Sequence, residues 1–259
     1  MCIRDRSNEY NGEDENSLPL VYEVMLDNDP DFSSPIIFEN TYDNDNFQCP
    51  ELEDGVYYWR VRVWDNAGNV LDWSQVPSHS FRVDTVPPDP PTLVWPTNQI
   101  WTNGEVNFDW QPITNENSYP IVYEIQYRSQ GAVYVTTYST YDDNYYRLIT
   151  SEDVYYWRVR AIDNAGNVGP WSPSSDGDLN QFKVDRSAPD PPSDLYLPEN
   201  NRPTDNLEVY FEWYPGSDAL SGVENYILEI DNTSDFSSPL QIVITNAENH
   251  YTHTFSIYR

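Results

Sequence analysis

The sequence predicts an all-β protein, a tandem array of antiparallel β-sandwiches strung like beads. Three observations carry this expectation. VYYWRVRVWDNAGNVLDWS, from Val56 to Ser74, returns almost unchanged as VYYWRVRAIDNAGNVGPWS, from Val154 to Ser172. Apolar and polar residues alternate with period two through both stretches, the signature of a half-buried strand. Twenty-one Pro, together with turn residues at short intervals and no long apolar run, argue against helices and membrane spans.

The elements are clearest in the middle copy. Val106–Trp110, Val122–Arg128, Ala132–Ser139 and Tyr145–Ile149 are expected strands, separated by turn residues. In Tyr155–Ile162, Tyr155, Trp157, Val159 and Ala161 form one apolar face. Tyr156, Arg158, Arg160 and Ile162 form the other, where guanidiniums can pair with Glu124 or stack on aromatic rings. The following DNAGN tolerates positive φ and reads as a turn. FKVD, Phe182–Asp185, is the returning strand.

Other phrases recur with the same period. Asp14–Val24 and Asn115–Ile125 match at an offset of 101, as do VDTVPPDPP from Val83 and VDRSAPDPP from Val184. DFSSPI from Asp31 returns as DFSSPL from Asp235, and FDWQP from Phe108 returns as FEWYP from Phe211. A period of about 100 residues is the size of a domain rather than of a solenoid repeat. The expected divisions are residues 1–6, 7–86, 87–187 and 188–259. The first is foreign: Met-Cys-Ile-Arg-Asp-Arg back-translates to the end of a transposase adapter used in preparing DNA libraries. The next is a repeat truncated at its N-terminus, then comes a complete one, then one truncated at its C-terminus. The Pro-rich joins read as short, semi-rigid linkers, and the chain reads as a metagenomic fragment of a longer array.

Forty-three acidic residues against thirteen basic ones give a net charge of −30. A surface this negative repels nucleic acid and anionic lipid. It suits cations, or solubility in a saline setting. With residues 1–6 set aside, Cys49 is the single cysteine and has no internal disulfide partner.

With these strands placed, each copy resembles a fibronectin type III module, or the similar immunoglobulin-like modules of prokaryotic cell-surface and secreted proteins. The resemblance rests on Trp110 and Trp213 as the core Trp of the second strand. It rests also on the sixth-strand pattern Tyr-x-Val-x-Val-x-Ala, met by Tyr155 to Ala161 with Trp157 in place of the first Val. In the first copy Tyr57 and Trp59 stand in that pattern, and Val63 replaces the Ala. Gly68 and Gly166 after the strand match too. The resemblance implies a β-sandwich per repeat, neighbouring modules as contacts, and an exported location, extracellular or on the cell surface. No Arg-Gly-Asp tripeptide is present to imply the adhesive role of animal relatives.

No set of nucleophile, base and orienting residue is visible, nor a Gly-rich phosphate loop, nor a Cys/His cluster. The chain is therefore expected to be no enzyme, with no catalytic or cofactor-binding residue. Asp27, Asp29 and Asp31 have the alternating acidity of some calcium loops and are the candidate metal ligands. The sixth-position Gly and twelfth-position Glu of a helix-flanked loop are missing, so a hairpin loop is the favoured reading and Ca²⁺ the alternative. Asp65 and Asp163 are weighed the same way, as turn acceptors ahead of cation ligands. Trp73 and Trp171 lie near Arg60, Arg62, Arg158 and Arg160, and read as a stacking ladder rather than a sugar platform. His250 and His253 are three apart, which puts them on opposite faces of a strand; His79 is isolated. Asn232-Thr233-Ser234 is a glycosylation sequon by pattern.

The expected role is a non-catalytic spacer and adhesion array, with proteins or glycans at the cell surface as partners, and neither nucleic acid nor membrane insertion. The alternatives are the accessory region of a secreted glycosidase or peptidase and a calcium-stiffened adhesin.

Overall fold

A computed structural model describes residues 2–4, 21–42, 46–65, 67–71, 73, 79–133, 137–177, 180–200 and 202–256. Every named element among them is a strand. By proximity the chain divides into two compact units, residues 1–91 with 112–124 and 160–171, and residues 92–111 with 125–159 and 172–259. The boundary runs through the middle repeat.

The first unit holds β1 (Cys2–Arg4), β2 (Val21–Asp27), β3 (Ile37–Tyr42), β4 (Asn46–Gln48), β5 (Gly55–Trp64) and β6 (His79–Val83). They form an antiparallel sheet of order β3-β2-β5-β6 and a separate pair β1-β4. Among the described residues of the first repeat, Val24, Met25, Leu26, Phe32 and Tyr57 are the buried apolar side chains. Three of the six opening residues expected to lie outside the fold thus pair with β4, Cys2 opposite Gln48. An unpaired strand edge is a template for whatever extended backbone can reach it.

The middle repeat adds β7 (Thr92–Trp95), β8 (Ile100–Thr102), β9 (Glu105–Gln111), β10 (Val122–Ser129), β11 (Tyr138–Thr140), β12 (Asn144–Leu148), β13 (Asp153–Ile162) and β14 (Gln181–Val184). One sheet has the order β12-β9-β7 and the other β11-β10-β13-β14-β8, with β8 parallel to β14. In the second unit Phe108 of β9 packs on Trp157 of β13 at 5.1 Å and on Phe182 of β14 at 5.8 Å, the interlayer contact of a sandwich. The expected inner face is inner: Tyr155, Trp157, Val159 and Ala161 are buried.

Two locally encoded features hold β13 and its counterpart β5. The Tyr155 hydroxyl donates to the Ser151 carbonyl at 3.0 Å, and the Tyr57 hydroxyl to the Glu53 carbonyl at 2.9 Å. Each ties the start of its strand to the preceding corner, as the Tyr of an immunoglobulin-like sixth strand does. At the other end Gly68 and Gly166 take φ of 89° and 94°, which closes the DNAGN turn without a Cβ clash.

One expected strand begins later than the sequence suggests, since Ala132 and Val133 lie outside it. Among the described residues of Ala132–Ser139, Tyr138 and Ser139 lie in a strand, β11 (Tyr138–Thr140), and 134–136 lie outside the described residues. Gly131 at φ 82° and the Ala132 N–H bond to the Ser129 carbonyl turn the chain away after β10. The short β7 and β8 had no alternation to announce them.

The third repeat has β15 (Leu195–Leu197), β16 (Glu208–Trp213), β17 (Tyr226–Ile230), β18 (Leu240–Ile244) and β19 (His250–Thr254). Its sheets are β15-β16-β19 and β17-β18. Trp213 meets Tyr226 edge-on at 5.3 Å, so these two sheets also face each other.

Candidate functional site at the repeat junctions

The acidic loop after β2 closes on itself. The Asp27 carboxylate is fully buried and accepts the N–H groups of Asp29 and Ser34, at 3.1 and 3.0 Å. Asp29 accepts the Asp31 N–H and the Ser33 hydroxyl, and Asp31 is exposed. Those donors hold the Asp29 carboxyl below the usual carboxylate range, the Asp31 N–H first. The third repeat builds the same loop: Asp231 accepts the Thr233 and Ser238 N–H groups, and Asp235 accepts that of Ser237. Phe32 and Phe236 share a left-handed backbone, φ 54° and 49°. Asp27 and Asp29 therefore serve as backbone acceptors of a recurring turn, to which Asp31 contributes its N–H.

Asp65 and Asp163 do the same in DNAGN. Asp65 accepts the Ala67 and Asn69 N–H groups and the Asn69 amide. Asp163 accepts the Asn167 N–H at 2.9 Å and its side-chain amide at 2.8 Å. The stacking ladder forms in both copies. Trp73 lies against Arg60 and Arg62 at 4.5 and 4.4 Å, and Trp171 against Arg160 at 4.4 Å. Each ladder continues into an ion pair, Arg62 with Glu23 and Arg160 with Glu124.

The constellation that brings distant segments together lies at the joins. After β6, Asp84 accepts the Val86 N–H at 3.1 Å and the hydroxyl of Ser118, thirty-four residues away. Its carbonyl accepts the Asn167 amide at 2.9 Å, and the Asp89 carboxylate accepts the Asn115 amide at 2.9 Å. Gly169 lets the linker approach, since a Cβ there would stand 2.5 Å from the Pro88 carbonyl oxygen. The second join repeats the pattern. After β14, Asp185 accepts the Ser187 N–H at 2.9 Å and the Ser221 N–H at 3.0 Å. Asp190 bridges Ser217, its N–H donating to the Ser217 carbonyl at 2.7 Å. Ser118 and Ser221 hold the Asp84 and Asp185 carboxyls below the ordinary carboxylate range.

At the first join Asp84, Glu116 and Asp163 each bring an oxygen within 4.8 Å of the others. Glu116 also accepts the Asn117 and Ser118 N–H groups, so the same carboxylates shape the loop. In the sequence these residues lie far apart, Asp84 inside a linker and Asp163 inside a turn. The signal it held was the return of Val-Asp at the same offset before both Pro-rich joins.

Other singled-out residues stay apart. His250 and His253 stand opposite Glu212 and Val209 on β19, and Asn232 is exposed. Cys49 is half-buried and free, with burial raising its thiol pKa. Among the described residues, no helix is long and apolar enough to cross a membrane.

Against known proteins, no family model matches the chain and no curated protein matches it. Among solved structures it is similar to the FN1–FN3 domains of chicken CNTN1, at 16% identity, over 76% of this chain and 67% of that one, with a TM-score of 0.43. The β-sandwich assignment rests on the strand order and interlayer contacts themselves.

Proposed function

We propose that this chain is a non-catalytic, modular segment of an extracellular or cell-surface protein, acting as a spacer that presents neighbouring domains for adhesion to proteins or glycans. The observation that carries it is the repeated junction. Asp84 with Ser118, and Asp185 with Ser221, tie each linker to the loop that follows it. Pro fixes φ along the linker, and the latch removes freedom that Pro alone leaves. A spacer needs this stiffness, whereas an enzyme needs a reactive constellation.

The test is small-angle scattering on the full chain against a D84A/D185A double variant. Loss of the latches is expected to broaden the distribution of interatomic distances while circular dichroism stays unchanged. An identical distribution would remove the latch as the source of stiffness.

The calcium-stiffened array is the second reading, and the convergence of Asp84, Glu116 and Asp163 is the observation in its favour. It expects a melting temperature that rises with millimolar calcium and falls back with chelator. An unchanged melt retires it.

A further inference from the structure

The first and middle repeats share an outer face and differ on it at one position. Val21–Met25 and Val122–Gln126 correspond at the offset of 101, and Arg60 and Arg62 correspond to Arg158 and Arg160 at an offset of 98. The ion pairs agree with this match, Glu23 with Arg62 and Glu124 with Arg160. Two residues further along each strand, the middle repeat sets Gln126 beside Arg158, and the first sets Met25 opposite Arg60.

The two arginines are satisfied differently. The Gln126 Oε1 accepts both the Nε and an Nη of Arg158, at 2.9 and 2.7 Å. An Arg60 Nη donates instead to the Met25 Sδ, at 3.1 Å. The Arg60 Nε–H is buried and has no acceptor among the described residues. The guanidinium is held there by the rings of Phe32 and Trp73, whose centres lie 4.1 and 4.5 Å from its Cζ. A thioether is a weak acceptor, and a buried donor without a partner is destabilising. Glutamine and methionine have side chains of the same length. One oxygen added to the methionine sulfur gives a sulfoxide, whose S–O group stands where glutamine has its Cδ–Oε1 and whose methyl stands where glutamine has its amide nitrogen.

We propose that Met25 is an oxidation site, and that its sulfoxide oxygen takes the Nε–H and Nη–H of Arg60 as Gln126 takes those of Arg158. The oxidant is a hydroperoxide. The sulfur lone pair attacks one peroxide oxygen, the S–O bond forms as the O–O bond breaks, and the proton on the transferred oxygen passes to the departing hydroxide. With hydrogen peroxide the products are the sulfoxide and water. The sulfur loses two electrons and the peroxide gains them. Met25 lies on the outer face with Glu23, and its neighbours Val24 and Leu26 face the other way, so the oxidant passes the Arg60 side chain rather than the core. Oxidising a buried methionine ordinarily places an unmatched polar group in an apolar site. Here the unmatched group is already present and is a donor. The sulfoxide is also the step of the oxidation ladder that methionine sulfoxide reductases restore.

This inference is independent of the spacer role, which the junction variants test separately. The experiment treats the full chain with hydrogen peroxide, beside M25L and M25Q chains. It follows the mass of the peptide holding Met25 and, after the peroxide is removed, thermal unfolding by circular dichroism. Met1 is the other methionine, and the M25L chain keeps it together with Cys49, so changes at those groups appear in both chains. The expected result is the gain of one oxygen at Met25 and a melting temperature about 4 °C higher than before treatment. The M25Q chain should melt at the raised temperature without peroxide, and the M25L chain should melt alike before and after. A Met25 that stays unoxidised while free methionine is consumed, a treated chain that melts at or below the untreated one, or an M25Q chain no more stable than the wild type overturns the proposal.

Discussion

The middle and third repeats carry the same strand, Phe108-Asp109-Trp110 and Phe211-Glu212-Trp213, yet enclose it differently. Trp110 and Trp213 are both buried, because the strand and its hairpin partners enclose that position. Phe108 is sealed by Trp157, Phe182 and Tyr127, each within 6 Å between ring centres. Phe211 has no such lid among the described residues and remains half-buried. Local sequence thus sets which way a side chain points, and the strands packed above it set how much water it loses. Burial of apolar area is the main stabilising term, so the two repeats should differ in stability more than in secondary structure.

The widest contrast is at that phenylalanine. Phe108→Ala should cost about 3–5 kcal/mol in urea unfolding of the middle repeat, from lost burial and the cavity left behind. Phe211→Ala should cost clearly less in the same measurement. Equal losses would break the comparison.

Removing one hydroxyl sharpens it. Tyr155→Phe leaves the Ser151 carbonyl without its donor and should cost about 1 kcal/mol. Tyr57→Phe should cost a similar amount in the first repeat, where the same bond forms. A neutral outcome in both would show the corner bond to be incidental.

A smaller effect is expected on the outer face. Trp171→Ala removes the ring from Arg160, worth about 0.5–1 kcal/mol at an exposed site. The ion pair of Arg160 with Glu124 remains. A loss above about 2 kcal/mol would mean that Trp171 is a core residue rather than a rung of the ladder.

The smallest expected difference is one of pH. Asp84 and Asp185 have folded pKa values depressed below their unfolded ones. Their contribution is therefore present above the unfolded value of about 3.9 and is lost as pH falls through the lower folded value. D84N and D185N chains should lose less stability than the wild type between neutral pH and about pH 3, in melts at matched ionic strength. Parallel curves would show that the latches do not titrate with folding.

Much of the fold was legible without coordinates. Period-two alternation placed β13 with its inner face of Tyr155, Trp157, Val159 and Ala161, and DNAGN placed its turn. Pairing of Arg160 with Glu124 was readable from the outward row. Alternation in Ala132–Ser139 competes with a left-handed Gly131, after which Ala132 and Val133 lie outside a strand, and 134–136 lie outside the described residues. No alternation announces β8, which follows left-handed Asn98 and Gln99 and pairs in parallel with β14. The acidic loop joins β2 to β3, and its Asx acceptors act on neighbours two residues on.

The sequence by itself determined the repeats, the long strands such as β5 and β13, the face those strands turn inward and the DNAGN turns that follow them. All of these depend on residues a few positions apart. The tertiary structure alone decided that Asp84 meets Ser118 and Asp163 and that Asp185 meets Ser221. Those contacts join residues tens of positions apart in the chain. They exist only once the sheets have closed and brought remote donors, carboxylates and edges to a common place.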